Sequence, residues 1–261
     1  MGTRATRALR RPPSVNGGSL RGKAAVVVGA SSGIGAAVAR ALSREGAPVT
    51  LAARRQEALE EVRESLDGAQ SLTVPTDVTD REGVRALVAR AEEEFGPVEV
   101  LVNCAGVMYY TLMENLREEE WERTVRVNCE GALNCVGAAL PGMLSRGQGH
   151  IVTISSDAGR KVFPGLAVYS ASKSFVEALS QGLRLETAGT GVKVTTIQPG
   201  NVATGLLGTS TDEEALEQYG EPTGARVLDP EDVAESVVWA LKQPDHVAVN
   251  EVLVEPRDEP V

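Results

Sequence analysis

Short apolar runs alternating with helix-period stretches continue through this chain from Lys23 onward, and this alternation is what most restricts its fold. The runs fall at 24–28, 49–52, 72–74, 98–102, 150–155, 193–198 and 249–254. The helical stretches fall at 34–45, 56–66, 81–95, 121–140, 169–188 and 231–242, with a shorter one near 212–219. Strands that are apolar at every position, rather than every second one, are buried on both faces. Strand–helix alternation then builds a parallel sheet covered by helices on both sides. The expectation is one α/β domain over residues 21–261, a doubly wound Rossmann-type fold with a mainly parallel sheet of about seven strands.

Composition excludes several classes. The formal net charge is -10 and only 3% of residues are aromatic. Nucleic acid asks for a basic face with stacking rings, and an anionic membrane surface asks for basic clusters. No apolar stretch reaches the roughly 20 residues of a membrane span. Cys104, Cys129 and Cys135 have no C-x-x-C spacing, and His150 and His246 lie far apart. A Cys/His zinc site and a disulfide framework are therefore not expected, and the cysteines read as core residues. No metal is assigned, although this reasoning leaves a carboxylate Mg²⁺ or Ca²⁺ site open. The body reads as a cytoplasmic protein.

Residues 1–20 differ from the rest, with Arg4, Arg7, Arg10 and Arg11, no acid, and Pro12-Pro13. They read as an extension outside the fold, either disordered or an organelle address. The opening Met1-Gly2-Thr3-Arg4-Ala5-Thr6 also fits the short myristoylation pattern, which many unmodified proteins share.

Gly29-Ala30-Ser31-Ser32-Gly33-Ile34-Gly35 lies between the first strand and the first helix. Glycines there allow a sharp turn and let the backbone approach a pyrophosphate resting on the helix N-terminus. Gly29 to Gly33 also matches the G-x-S-x-G nucleophile elbow of α/β-hydrolases, with His150 or His246 as possible partners. An elbow normally follows several strands, whereas this one follows the first. Ser170-Ala171-Ser172-Lys173 matches an S-x-x-K pattern, but its usual S-D-N and K-T-G partners are missing.

Taken together, the glycine segment, Asn103-Cys104-Ala105-Gly106, Asn128, Ser155-Ser156, Tyr169-Ser170-Ala171-Ser172-Lys173 and Pro199-Gly200 resemble the short-chain dehydrogenase/reductase family. The resemblance spans about residues 22 to 256 and is strongest to NADP-dependent members acting on 3-hydroxy acids, serine and clavulanate-type aldehydes. Val28 stands where Thr is usual, and Cys104 where a second Asn is common. The resemblance implies a hydride transfer between NADP(H) and a small alcohol or carbonyl substrate, in a homo-oligomer (dimer or tetramer) built through the helices around Trp121 and Tyr169. It implies a cofactor site of Gly29, Ser31, Ser32, Gly33, Ile34, Gly35, Asp77, Ala105, Gly106, Pro199, Gly200, Val202 and Thr204, with Tyr169 and Lys173 at its nicotinamide end. Asn103 reads equally as backbone support or as a cofactor contact.

Tyr169 and Lys173 stand four residues apart on one helix face. An ammonium about 5 Å from a phenol, at an effective dielectric of about 20, contributes roughly 3.3 kcal/mol. That equals about 2.4 pKa units and would bring the phenol to about 7.5, within reach of acid–base work. Ser156 would hydrogen-bond the reacting oxygen; Ser155 competes for that duty, strand alternation turns the two to opposite faces, and the interval to Tyr169 that the resemblance implies favours Ser156. The resemblance further implies that Lys173 holds the nicotinamide ribose and that Asn128 seats a water leading to Lys173.

At the end of the second strand an NAD enzyme carries an acid, about 20 residues beyond the glycine turn. Here Ala53 is followed by Arg54 and Arg55, which would pair with a 2′-phosphate. Asp77 reads either as an adenine contact or as a plain N-cap for the helix at Arg81. Met108, Tyr109, Tyr110, Asp157, Phe163 and Leu206 fall in carboxyl-end loops that bound the ligand crevice. The segment 202–227 reads as a mobile lid, and Arg160 and Lys161 as either a solvated pair or a grip on a substrate carboxylate. Two rival functions are a catalytically silent NADP-binding regulator and the hydrolase.

Overall fold

The computed structural model describes residues 19–67, 70–220 and 224–259. Most of the basic extension lies outside the described residues.

Seven strands form one all-parallel sheet in the order β3-β2-β1-β4-β5-β6-β7. They are β1 (Ala24–Val28), β2 (Val49–Ala53), β3 (Ser71–Pro75), β4 (Val98–Asn103), β5 (Gly149–Ile154), β6 (Val192–Pro199) and β7 (Glu251–Val254). The helices are α1 (Gly33–Arg44), α2 (Gln56–Glu64), α3 (Arg81–Phe95), α4 (Glu118–Val125), α5 (Gly131–Arg146), α6 (Ala167–Glu186), α7 (Glu213–Tyr219) and α8 (Pro230–Leu241).

Alternate strand residues feed two cores, as the period of two requires. Val27, Leu51, Val102 and Val152 pack with α1 and α8, while Val26, Val28, Leu101 and Ile151 pack with α3, α5 and α6. The strand order reverses between β1 and β4, both of which pair with central neighbours, and a crevice opens at their carboxyl ends.

The stretch expected as one helix over 121–140 runs from Glu118 to Arg146 and is broken by a π-helical turn at Arg126–Glu130. Such a turn carries one extra residue per hydrogen-bonded loop and re-aims side chains locally. Here it buries Asn128. Gly131 follows the turn, where a β-carbon would sit 2.7 Å from Val78 Cγ2, so only glycine lets the loop after β3 come this close. The N-cap of α3 is Asp80, which accepts from Glu82 N at 3.1 Å, and not Asp77. Asp77 instead closes a turn on Thr79, accepting from its N at 2.9 Å and its Oγ1 at 2.8 Å.

His150, near the amino end of β5, is buried with Nε2 2.8 Å from Thr195 Oγ1. Thr195 donates its hydroxyl proton to Val249 O at 2.6 Å, so it must accept from His150, which fixes the Nε2–H tautomer. Burial pushes the imidazole down from 6.5 to about 3. The unfolded chain therefore binds a proton that the folded one refuses between these values, and stability is present above about 6.5 and lost as pH falls toward 3. Denaturant midpoints across this window should decline less steeply for His150→Gln than for wild type, and parallel profiles would contradict the assignment.

Candidate active site

The turn from β1 into α1 is shaped by glycine at close range. Gly29 has φ +83°, and a β-carbon there would fall 2.7 Å from Ala105 N, so this turn lies directly on the one after β4. A β-carbon on Gly35 would strike Gly29 O and lie 2.8 Å from its carbonyl carbon. Gly33 has φ +52° and faces the Thr204 methyl, bringing the segment after β6 over the turn. Ser32 is the N-cap of α1 but makes no side-chain cap, and the first turn carries no acid. The helix thus presents uncapped N–H groups at its positive end, next to Ser31, Gly33 and Ile34.

Arg54 and Arg55 are both exposed past β2. The hydrogen bonds from Thr79, with smaller help from the charges of Arg54 and Arg126, hold the Asp77 carboxyl below the ordinary range. The charge of Arg54 thus reaches Asp77, whereas Arg55 occupies the N-cap of α2 without a side-chain cap. Asn103 is buried at the end of β4, opposite Val28 and Thr153. Gly200 is held to Val254 O at 2.8 Å, and Val202 pairs with Leu228 and packs on the core.

Across the crevice, α6 presents Tyr169 and Lys173, both buried. Lys173 Nζ lies 5.5 Å from the Tyr169 ring centroid and donates to Ile154 O at 3.0 Å. A β-carbon on Gly106 would lie 3.7 Å from Nζ and 3.4 Å from Asn128 Oδ1, so these groups meet the turn after β4. Ser156 acts on the Tyr169 phenol and lowers its pKa, while its hydroxyl donates to Asp157 Oδ1 at 2.8 Å. Ser155 Oγ, on the other face, is buried with no partner among the described residues and lies against Gly159. Asn128 is tied on several sides: Oδ1 accepts from Val107 N at 2.8 Å, while Nδ2 donates to Val107 O and Ser172 Oγ, both at 2.9 Å.

The phenol's acidity departs from the sequence expectation. Burial raises the Tyr169 pKa; the Ser156 hydrogen bond offsets part of this, and Asp157 and Tyr110 push it further up. Burial lowers Lys173 to about 8, leaving it mainly protonated at pH 7. The Coulomb argument counted the ammonium alone and omitted desolvation and the Asp157 carboxylate, which together outweigh it.

The substrate wall also differs in part. Met108, Tyr110 and Phe163 pack with Tyr169, Ala158 and Leu166. Of the two expected tyrosines, Tyr110 joins this cluster, whereas Tyr109 is buried apart from it. Leu206 precedes a short 3-10 turn whose Thr209 hydroxyl reaches both Leu206 O and Met108 O at 3.1 Å. The described part of the expected lid is tied down. Asp212 accepts from Leu112 N and Asn115 Nδ2 at 2.9 Å, and Ser210 Oγ accepts from Tyr110 N at 2.8 Å. Sequence reasoning did not single out Asp212, whose donors at Leu112 and Asn115 come from about a hundred positions away. Arg160 is turned to Gln198 Oε1 at 3.2 Å and Glu251 at 3.7 Å, away from any substrate duty.

The hydrolase alternative fails on placement. Ser31 lies beyond the carboxyl end of β1, while His150 starts β5 and His246 follows α8 at the opposite edge of the sheet. Among the described residues no group of three or more His, Cys, Asp or Glu could hold a metal ion, and no helix is long and apolar enough to cross a membrane. Burial pushes the Cys135 thiol up to about 12.

A glycine turn on an uncapped helix, facing a phenol, a serine and a buried ammonium, is the layout of an oxidoreductase site on a doubly wound sheet. The short chain dehydrogenase family model matches residues 23–215, and the chain belongs to that family. Glycine betaine reductase ATRR of Emericella nidulans is 63% identical over 262 residues, covering 97% of this chain but 21% of its own length. The chain thus spans about a fifth of that relative. An uncharacterized oxidoreductase of Staphylococcus aureus is 42% identical over 91% of this chain and 98% of its own. The closed form of serine dehydrogenase complexed with NADP+ superposes with TM-score 0.83 at 33% identity, covering 91% of this chain and 96% of that one. An alcohol dehydrogenase of Thermococcus sibiricus complexed with 5-hydroxy-NADP gives 0.81 at 31% identity, covering 92% and 98%.

Proposed function

We propose that the chain uses NADP(H) to interconvert a small aldehyde or ketone and its alcohol, with Tyr169 moving the proton. The observation that carries this reading is the buried Tyr169 phenol beside Ser156 and Lys173, across a crevice from the glycine turn. The uncapped start of α1 and the close approaches at Gly29, Gly33 and Gly35 fit a pyrophosphate, and Arg54 fits a 2′-phosphate. When bound, the nicotinamide supplies the hydride that adds to the carbonyl carbon or leaves the alcohol carbon.

In reduction, Tyr169 Oη–H donates its proton to the carbonyl oxygen, and Ser156 Oγ–H, turned from Asp157 Oδ1, steadies the charge forming there. Because burial favours the neutral phenol, the resting side chain is already the donor that reduction needs. In oxidation the phenolate must accept the proton, and the Lys173 ammonium stabilises it. Asn128 is a positioning residue, bracing Val107 and Ser172 so that Lys173 meets the turn at Gly106. The regulator alternative has no such use for Ser156, Tyr169 and Lys173 in one place.

Two experiments test this reading. NADPH oxidation followed by its ultraviolet absorbance against small aldehydes and ketones should show turnover; tight NADPH binding with no turnover of any of them would favour the regulator. Arg54→Ala should weaken NADPH binding about tenfold or more and leave NADH nearly unaffected. An unchanged NADPH/NADH ratio would contradict the role of Arg54.

The relative named glycine betaine reductase suggests a substrate related to glycine betaine. A site of this type acts on a carbonyl, not a free carboxylate, so the corresponding species here is the aldehyde or its alcohol. The chain is also proposed to form a homo-oligomer through α4 and α6. Met113, Val125, Ala167, Val168 and Phe175 line a shallow apolar hollow of about 350 Å³ there, and Val125 and Phe175 are 44% and 37% exposed. Phe175→Asp should lower the mass measured by light scattering, and an unaltered mass would remove α6 from the interface.

A further inference from the structure

The loop after β4 that carries Met108 and Tyr110 is pinned by two other segments. Successive N–H groups of residues 110–112 take partners from them alternately, as a strand's would. Thr111 N donates to Gly165 O at 2.8 Å, whereas Tyr110 N and Leu112 N donate to the segment after β6, to Ser210 Oγ at 2.8 Å and Asp212 Oδ2 at 2.9 Å. No backbone ladder joins the loop to that segment; side chains supply the acceptors, and Thr209 Oγ1 adds a bond to Met108 O at 3.1 Å. Neighbouring residues of α4 hold both partners: Trp121 Nε1 donates to Thr111 Oγ1 at 2.9 Å, and Glu120 Oε1 accepts from Thr211 N at 3.0 Å. Asp212, only 1% exposed, is the centre of the row. Its Oδ1 accepts from Asn115 Nδ2 at 2.9 Å and from Ala215 N at 3.1 Å, and its Oδ2 from Leu112 N and, at 3.1 Å, Asn115 Nδ2. Burial opposes the charge, but these bonds and the Arg117 charge outweigh it and hold the carboxyl below its ordinary range. At the other end of α7, Tyr219 reaches the same wall: it and Tyr110 flank Gly165, whose missing β-carbon would lie 3.2 and 3.1 Å from their rings.

We propose that Asp212 is a positioning residue: by clasping the segment after β6 onto the loop after β4, it sets Met108 and Tyr110 beside the phenol and so governs affinity for the carbonyl substrate, which it does not touch. The inference rests on the NADP(H)-dependent carbonyl chemistry proposed above. Met108 and Tyr110 pack in one cluster with Tyr169, so their placement shapes the space left for the carbon chain of a substrate. An ionised acceptor makes stronger bonds than a neutral one, which favours the closed arrangement. A clasp made of a few side-chain bonds, rather than a strand ladder, can still open by exchanging them for water, as entry and release require. Opening lowers apparent substrate affinity by the fraction of molecules whose wall is out of place. The proton-carrying groups sit on α6 and just past β5, which take no bond from Asp212 or Ser210. Chemistry on a bound substrate is therefore left intact when the clasp is weakened.

Asp212→Asn separates the clasp from the helix cap. Its amide oxygen still caps Ala215 N, and Asn115 can rotate its own amide to suit, but the Leu112 N–H then meets an NH₂ group instead of an acceptor. Amide hydrogen exchange in the full chain should quicken about tenfold or more at Leu112 and stay within about threefold of wild type at Ala215. With NADPH and the fastest substrate of the aldehyde and ketone panel, KM should rise about tenfold while kcat and NADPH affinity stay within about threefold. Ser210→Ala, which loses only the Tyr110 bond, should show the same split more weakly, and it decides the matter if Asp212→Asn does not fold. An unchanged KM, or a fall in kcat at constant KM, would overturn the clasp and leave the NADP(H) reading standing. A wild type that turns over none of the panel would overturn that reading; faster exchange at Leu112 in the variant would still uphold the clasp, and unchanged exchange would overturn it.

Discussion

Tyr169→Phe should lower kcat by about 10²- to 10⁴-fold while NADPH binds as it does to wild type, because the substitution removes only the proton-carrying oxygen. The ring stays in its buried place against Ala158 and Leu166, and the Lys173 ammonium keeps its bond to Ile154 O. A change confined to proton transfer lowers kcat and kcat/KM together, whereas lost substrate binding would raise KM alone. Steady-state kinetics with NADPH titration separates the two, and wild-type turnover would end the assignment. Lys173→Met would be a weaker diagnostic, since it also empties the space beside Gly106.

Gly35→Ala should combine a loss of stability with a loss of nucleotide binding. The added methyl runs into the Gly29 carbonyl, and Gly29 cannot yield, because it already lies against Ala105 N at what would be 2.7 Å from its own β-carbon. Forcing atoms into so tight a contact costs about 1–3 kcal/mol, which for a chain of this size lowers Tm by about 2–12 °C. Relief by displacing the turn would move the α1 N–H groups away from a pyrophosphate. Gly137→Ala is the matched control: it lies exposed on α5 with nothing within 4 Å of a β-carbon, so helix propensity alone should raise stability by about 1 kcal/mol. Thermal melts with and without NADPH should therefore move in opposite directions for the two variants. A Gly35→Ala protein that melts and binds like wild type would show that the turn is looser than its contacts imply.

The sequence by itself determined the doubly wound architecture, because apolar runs and helical periods are local patterns that each segment carries alone. It also determined the glycine turn, the i,i+4 placement of Tyr169 and Lys173, and the opposite facing of Ser155 and Ser156, since backbone freedom, helix pitch and strand alternation are local too. Only the tertiary structure decided that a π turn buries Asn128, that Asp80 and not Asp77 caps α3, and that Tyr110 but not Tyr109 packs beside the phenol. It decided the acidity of Tyr169 as well, because burial and the Asp157 charge arise only after β5 and α6 pack together and exclude water. Periodicity is written in neighbouring residues, whereas desolvation and long-range charge depend on which distant segments meet.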